Sequence, residues 1–158
     1  MAEHNELSEQ FARAFGNDRF EKPDPFEETL YVIGHHDRGW EQIDANPVLD
    51  LVSGFPAGVG GAKGPGGAAT TKLSPDFNQA RHDYCGLLAS MHTWGLYHAR
   101  YGFSDFRVRP GGSTSVPIAK DMTDELNEIL EGEIERQETL KNKLAVDPTT
   151  ASWVQGDN

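Results

Sequence analysis

Histidine and aspartate are the residues of this chain that could hold a metal ion or activate water. The 158 residues include six histidines, and two of these precede an aspartate in the run His35-His36-Asp37. Imidazole nitrogen and carboxylate oxygen together suit iron, manganese or zinc. Cys85 is the single cysteine, which excludes a cysteine-rich zinc motif and an intramolecular disulfide. The composition therefore favours a site built from histidines and a carboxylate.

The first predicted helix, over residues 3–15, carries one of these histidines. Its apolar residues follow the spacing of a helix buried on one face, at Leu7, Phe11, Ala14 and Phe15. His4 lies three residues before Leu7 and therefore on the same face, near the helix start. We expect this helix to direct His4 toward the protein interior.

The second predicted helix, over residues 25–38, ends on the His-Asp pair. Asp24 and Pro25 form a favourable helix start. The predicted apolar face includes one acidic residue, and its members are Phe26, Leu30, Ile33 and Asp37. A carboxylate on an apolar face is costly unless a cation neutralises it. Asp37, with His36 before it, is therefore a candidate metal ligand and catalytic residue.

Two further helices are predicted, over residues 76–101 and 123–144. In the earlier one His92 shares a face with Leu88 and Leu96, which makes it the third candidate histidine. The later one is amphipathic and rich in Glu and Lys, so its outer face is the expected surface for a homo-oligomer or another partner.

The remaining segments have loop composition. Residues 53–72 are rich in glycine, which predicts a segment without regular secondary structure near the mouth of the histidine cluster. Residues 147–158 have turn composition and predict a flexible tail. Together these patterns predict an all-α fold in one domain over residues 1–146, with long irregular loops.

Charge and hydropathy exclude several classes of function. A net charge of −11 repels phosphate backbones and anionic lipid headgroups, so neither nucleic acid nor a membrane surface is an expected partner. No apolar run is long enough to span a membrane. With its one cysteine the chain is expected in a reducing compartment, the cytoplasm. A divalent cation would locally reverse the acidic field for an anionic small-molecule substrate.

Four other residues are weaker candidates. His82 and His98 flank His92 and could supply a second metal or support the first, and His35 projects away from His36 and is expected to support it. Arg38 could contact a substrate phosphate. A lone histidine on a helix is more often an ordinary hydrogen-bonded residue, and an arginine at a helix end is more often solvated.

The order of these residues resembles that in the HD-domain superfamily of metal-dependent phosphohydrolases, named for its His-Asp pair. The matching segments are His4 in AEHNELSEQFARAFG, His36-Asp37 in IGHHDRGWEQID and His92 in LLASMHTWGLY. More narrowly, they resemble an uncharacterised bacterial and archaeal branch, a domain of unknown function. The resemblance implies an HD-like helical bundle in which the first histidine and the His-Asp pair hold a metal, while later histidines hold a second metal or contact phosphate.

The chain departs from that pattern in two respects. The family pattern closes with an aspartate on a late helix, whereas Asp121, Asp124 and Asp147 all lie near predicted helix ends. The branch also begins with a short strand before its first histidine and continues past the end of this chain. We therefore expect a shortened version or a fragment, with three or four protein ligands and open positions on the metal.

Three hypotheses for function follow. The first is a metal-dependent hydrolase that acts on a phosphate ester or nucleotide-like small molecule through a metal-activated water. The second is a di-iron oxygenase on the same scaffold, for which His82 and His98 are the permissive feature. The third is a metal-binding or interaction module that lacks the closing carboxylate and uses the helix over residues 123–144 as its partner surface.

Overall fold

The computed structural model describes residues 2–47, 49, 51–56, 67–98 and 123–155. In these ranges the chain forms α helices, one short 3-10 helix and a single isolated bridge between Leu49 and Pro56. The helices are α1 (Ala2–Ala14), α2 (Phe26–Ile33), a 3-10 helix (Arg38–Trp40), α3 (Glu41–Ala45), α4 (Gly67–Arg81), α5 (Asp83–His98), α6 (Thr123–Val146) and α7 (Ala151–Gln155). The predicted mainly helical class is confirmed.

Helix α5 lies at the centre of the packing, against α2, α4 and α6. One core cluster joins α5 to α6 and consists of Tyr84, Leu87, Leu140 and Leu144. A second joins α5 to α2 and consists of Val32, Cys85 and Ala89. Because α5 is buried on several sides, side chains on it can reach both α4 and the turn that follows α2.

The second helix is shorter than predicted. It ends at Ile33 instead of Arg38, because Gly34 caps it with hydrogen bonds to Leu30 and Val32. A turn over residues 34–37 and the 3-10 helix follow. His36 and Asp37 therefore lie on a turn and not on a helical face.

The glycine-rich segment is also partly helical, contrary to the prediction. Residues 57–66 lie outside the described residues, but α4 begins at Gly67, so the loop assignment was wrong for residues 67–72. Helix α4 continues through Pro75, which lacks the N–H that would bond to the carbonyl of Thr71. The Thr93 hydroxyl donates to that carbonyl at 3.5 Å, and this contact compensates for the missing bond.

The single helix predicted over residues 76–101 is two helices. Helix α4 ends at Arg81, and α5 begins at Asp83 after a break at His82. Asp83 starts the new helix, and the backbone N–H of Tyr84 donates to Nδ1 of His82 at 3.1 Å. The His82 side chain is therefore an N-cap of α5, and hydrogen bonds of this kind between a side chain and the backbone separate consecutive helices.

The apolar stripe of α1 does not face the core. Leu7, Phe11 and Phe15 are 50%, 70% and 50% exposed, whereas Asn5 is buried. The expectation of an inward apolar face was therefore wrong. Helix α1 contacts α2 through the face that carries Asn5, which periodicity of apolar residues could not identify.

The C-terminal segment is ordered as far as it is described. Helix α7 packs on α6, and Trp153 and Val154 contact the core cluster around Leu87. The predicted flexible tail is thus wrong for residues 151–155, and residues 156–158 lie outside the described ranges. The leucines of α6 are buried, and Ile134 remains exposed on its outer face. Among the described helices, none has the length and apolar character needed to cross a membrane.

Candidate metal centre

Three side chains from two elements converge at the end of α2. Nε2 of His4 lies 3.1 Å from Nε2 of His36 and 3.7 Å from Oδ2 of Asp37. His36 Nε2 lies 3.4 Å from the same carboxylate oxygen. One nitrogen or oxygen from each residue lies within 4.8 Å of the other two, and the described residues contain one such group of metal-ligand type.

The glycine that ends α2 allows α1 to approach this turn. A Cβ at Gly34 would lie 2.6 Å from the carboxylate of Glu9, which is closer than real Cβ atoms approach. That carboxylate is the end of a flexible side chain, so a larger residue at position 34 would first displace Glu9. Glu9 of α1 therefore lies directly against Gly34, at the start of the turn.

The separations of the three donor atoms fit a shared cation. Ligand atoms about 2.1 Å from one ion are roughly 3.0 Å apart at a right angle and roughly 3.4 Å apart at the tetrahedral angle. The observed separations of 3.1, 3.4 and 3.7 Å fall close to this range. Two imidazoles and one carboxylate are also a donor set that iron, manganese and zinc accept.

The hydrogen bonding of His36 leaves a lone pair for a ligand. Its Nδ1 lies 2.7 Å from the carbonyl oxygen of Ile33. Because a carbonyl can only accept, Nδ1 carries the proton and Nε2 presents its lone pair in the neutral ring. In the absence of a cation, His4 Nε2–H donates to that lone pair, so a cation would take the place of one proton.

The three side chains differ in their exposure to solvent, so the group has a buried side and an exposed side. The side chains of His36 and Asp37 are 15% and 13% exposed, whereas that of His4 is 57% exposed. A cation held by all three would therefore lie at the protein surface, partly covered by α1. Open coordination positions would face solvent on the side of His4.

His92 lies behind the three residues and is not one of the mutually close group. Its ring centroid is 5.1 Å from that of His36, at a nearly perpendicular angle. Burial, with a further contribution from His36, lowers the pKa of His92 from 6.5 to about 4. The imidazole is therefore neutral near pH 7.

A small cavity adjoins this group on its inner side. Its volume is about 30 Å³, which accommodates a single water molecule. His36, Asp37 and His92 line one part of it, and the remaining wall consists of Trp40, Thr71, Ser74, Thr93, Leu96 and Tyr97. Opposite the histidines, Thr71 Oγ1 and the Tyr97 hydroxyl are hydrogen-bonded at 3.2 Å. Because Thr71 lies on this wall, the helical end of the glycine-rich segment is close to the histidines.

The other candidates lie away from the cluster or outside the described part. The ring of His35 stacks on Tyr31 at 4.2 Å, and its Nδ1 donates to the Tyr31 carbonyl. His82 caps α5 and contacts Trp153. Arg38 forms an ion pair with Glu41 and lies over the ring of Phe77. The side chain of His98 is outside the described residues.

Sequence reasoning missed most of the cavity wall. Thr71, Ser74 and Tyr97 have no motif that relates them to His36, and they reach the site only because α4 and α5 pack beside the turn. Thr71, Ser74 and Asn78 are spaced by three and four residues along α4, so these polar side chains lie on one face of the helix. That polar stripe is the one available indication that this face of α4 serves a polar site.

Comparisons with known proteins give a family and no named relative. The family model described as "Protein of unknown function (DUF3891)" matches residues 1–155. A search of curated proteins gives no match, and neither does a search of solved structures. With nearly its whole length matched, this chain belongs to the DUF3891 family.

Proposed function

We propose that this chain binds one divalent cation through His4, His36 and Asp37 and hydrolyses a phosphate ester or nucleotide-like small molecule. The supporting observation is the convergence of two imidazole nitrogens and one carboxylate oxygen at separations of 3.1 to 3.7 Å. Bound there, the cation would lower the pKa of a water molecule and polarise a phosphoryl oxygen.

The residues around the group have separate tasks in this proposal. The Ile33 carbonyl fixes the tautomer of His36, and the turn presents the carboxylate of Asp37, which caps no helix through its side chain. His92 stays neutral near pH 7, so it adds no positive charge beside the group that would repel the cation.

Charge also supports an anionic substrate at a cation. The protein carries a net charge of −11, so its surface repels phosphate unless a local positive charge reverses the field. Arg38 is engaged with Glu41 and Phe77 and does not line the cavity. The cation itself is therefore the group assigned to attract the phosphoryl oxygens.

The resemblance to HD-domain phosphohydrolases supports the same reaction class. It rests on the order of His4, the His36-Asp37 pair and His92 along the chain. The single-cysteine composition supports a cytoplasmic setting for such an enzyme.

Metal titration of purified protein tests the proposal. After treatment with a chelator, the wild type should bind Mn²⁺, Co²⁺ or Zn²⁺ at about one ion per chain, measured by calorimetry and elemental analysis. Removal of a supporting residue typically costs 10- to 100-fold in affinity, so H36A and D37A should each cost at least about 100-fold. H82A, which removes a histidine outside the group, is the matched control and should bind as the wild type does.

Turnover is assayed with the loaded protein on p-nitrophenyl phosphate and on a panel of nucleotides. Phosphate release that requires the cation and is lost in D37A supports the hydrolase. Binding by H36A and D37A at wild-type affinity would contradict the metal site. Stoichiometric binding without release of phosphate from any panel member would contradict the reaction.

An iron-dependent oxygenase is the second candidate. Two histidines and one carboxylate with an exposed coordination face are the donor set of mononuclear non-haem iron oxygenases. In the part of the chain that the structure describes there is one such group, which favours a single iron over a pair. Iron in the protein as purified, with turnover that requires oxygen, would select this alternative, and anaerobic turnover with manganese would exclude it.

A further inference from the structure

We infer that Ser74 and Asn78 of α4 are positioning residues of the metal centre, which they serve by holding the backbone of the turn that carries His36 and Asp37. This inference rests on the proposed metal site. Neither residue is among the donor atoms of the group. Their role would be exerted through the turn.

The two side chains fasten the turn on both sides of the His-Asp pair. Nδ2 of Asn78 donates to the carbonyl oxygen of His35 at 3.1 Å, one residue before His36. The backbone N–H of Gly39 donates to Oγ of Ser74 at 2.9 Å, two residues after Asp37. Four peptide bonds separate the two anchors, and the segment between them contains both proposed ligands.

The anchors are buried and linked to each other. Asn78 is 0% exposed and Ser74 is 4% exposed, so water does not compete for these hydrogen bonds. Asn78 Nδ2 also donates to the carbonyl oxygen of Ser74 at 2.9 Å. The two residues are four apart on α4 and therefore lie on the same face of that helix.

The orientation of the Asn78 amide is determined by its partners. Both atoms that contact Nδ2 are carbonyl oxygens, so rotating the amide would place an oxygen against two acceptors. This orientation leaves Oδ1 buried with no hydrogen bond. An unpaired buried acceptor is destabilising, and an apolar residue would avoid that cost. A donor at position 78 is nevertheless required to tie the His35 carbonyl, which also accepts from the Arg38 N–H, to α4.

Backbone hydrogen bonds within the turn, such as that from the Arg38 N–H to the His35 carbonyl at 3.1 Å, fix its local shape, and the two side chains of α4 fix its position against the rest of the fold. Residues 34–37 lie between α2 and the 3-10 helix, and the side chain of Asp37 forms no cap. A metal site requires its ligands to be held within about 0.5 Å of the productive geometry by the surrounding residues. Helix α4 is suited to this task because it packs along α5 and also contacts the 3-10 helix.

A buried serine elsewhere provides a matched control. Ser90 is 0% exposed, and its hydroxyl donates to the Glu133 carbonyl at 3.1 Å. It also accepts from Gln137 Nε2 at 3.2 Å, so it connects α5 to α6 and does not line the cavity. S90A therefore removes a buried hydroxyl without touching the turn.

The experiment measures Co²⁺ binding to the full chain, by affinity and by the visible absorption spectrum of the bound ion. S74A should lower Co²⁺ affinity by about 10- to 100-fold and change the spectrum, as loss of a supporting hydrogen bond does. S74T keeps the hydroxyl and should restore affinity to within about threefold of wild type. S90A should lower the melting temperature about as much as S74A and keep the wild-type affinity and spectrum.

N78A tests the other anchor and is used if S74A does not fold, as judged by circular dichroism. It should weaken Co²⁺ binding to a similar extent. Wild-type binding of Co²⁺ by both S74A and N78A would overturn this inference and leave the proposed metal site intact. Equal loss of affinity in S90A and S74A would also overturn it, by showing a general effect of stability. A wild-type protein that binds no Co²⁺ would overturn the metal site and this inference together.

Discussion

Replacement of His92 by glutamine should change the way in which the stability of the metal-free protein depends on pH. Burial, reinforced by His36, lowers the pKa of His92 from 6.5 to about 4. Glutamine is polar, similar in length and neutral at every pH. The H92Q variant therefore removes one titrating group and retains most of the packing beside the cavity.

The sign follows from proton binding in the two states. Between pH 6.5 and 4 the unfolded chain protonates residue 92 and the folded chain does not. The unfolded state then binds more protons, so acidification destabilises the fold. The pKa is lowered by about 2.5, and each pKa unit is worth about 1.36 kcal/mol, so at most about 3.4 kcal/mol of stability is lost from pH 7 to below pH 4.

Urea unfolding in the presence of a chelator, at several pH values between 7.5 and 4, measures this difference. The free energy of unfolding of wild type should fall more steeply with decreasing pH than that of H92Q. The free energy of unfolding of H92Q relative to wild type should therefore rise toward low pH, by up to about 3.4 kcal/mol. Parallel curves over the whole range would show that His92 is not held neutral by burial, and the argument for a neutral imidazole beside the proposed cation would then fail.

Two further predictions test the packing. In urea unfolding, L87A should destabilise the fold by about 2–5 kcal/mol because Leu87 is buried in the central cluster. F11A should cost less than about 1 kcal/mol because that ring is 70% exposed. Equal losses in the two variants would contradict the exposed face of α1. Burial raises the pKa of Glu133, so E133Q should be more stable than wild type at neutral pH. This advantage should disappear as the pH falls below 4.5, where Glu133 is protonated in both the folded and the unfolded wild type. An advantage that grows toward low pH would refute this prediction.

The existence of the helices could be predicted from sequence because their determinants are local. The spacing of leucines in α6 and the glycine after Phe15 are read within one or two turns of helix. Helix boundaries were less predictable where another part of the chain compensates for a local defect. Pro75 indicates a helix start, yet α4 runs through it because the Thr93 hydroxyl bonds to the carbonyl that Pro75 cannot satisfy.

The buried face of α1 was predicted wrongly because that face is polar. The stripe of Leu7, Phe11 and Phe15 indicates the inner face of α1 by the usual rule, but that stripe is exposed and Asn5 is buried instead. The closeness of Glu9 to Gly34 shows how α1 lies on α2. A close approach at a glycine leaves no hydrophobic periodicity, so a single sequence does not reveal it.

The proposed ligands could be selected from sequence because their chemistry is unusual, whereas the residues that hold them could not. The sequence predicts His36 and Asp37 as a donor pair because Asp37 falls on the apolar face of a helix. In the structure the two residues lie on a turn and not on that face. Ser74 and Asn78 are ordinary residues in sequence. Their relation to the turn depends on packing between segments 35 and 43 residues apart.

The position of His4 on an incompletely packed helix would link the proposed metal binding to the docking of α1. Helix α1 contacts α2, but its largest apolar side chains remain exposed, so apolar burial contributes little to holding it there. The polar side-chain contacts described between this helix and the turn are those of His4, which hydrogen-bonds to His36 and lies 3.7 Å from the Asp37 carboxylate. A cation shared by His4, His36 and Asp37 would replace that bond with stronger ones, and the favourable binding energy would stabilise the docked position of α1 by mass action. The described contacts therefore hold the turn to α4 more extensively than they hold α1 to the turn. A substrate that needs open coordination positions would approach from the side of His4, where the centre is exposed and where its support is weakest.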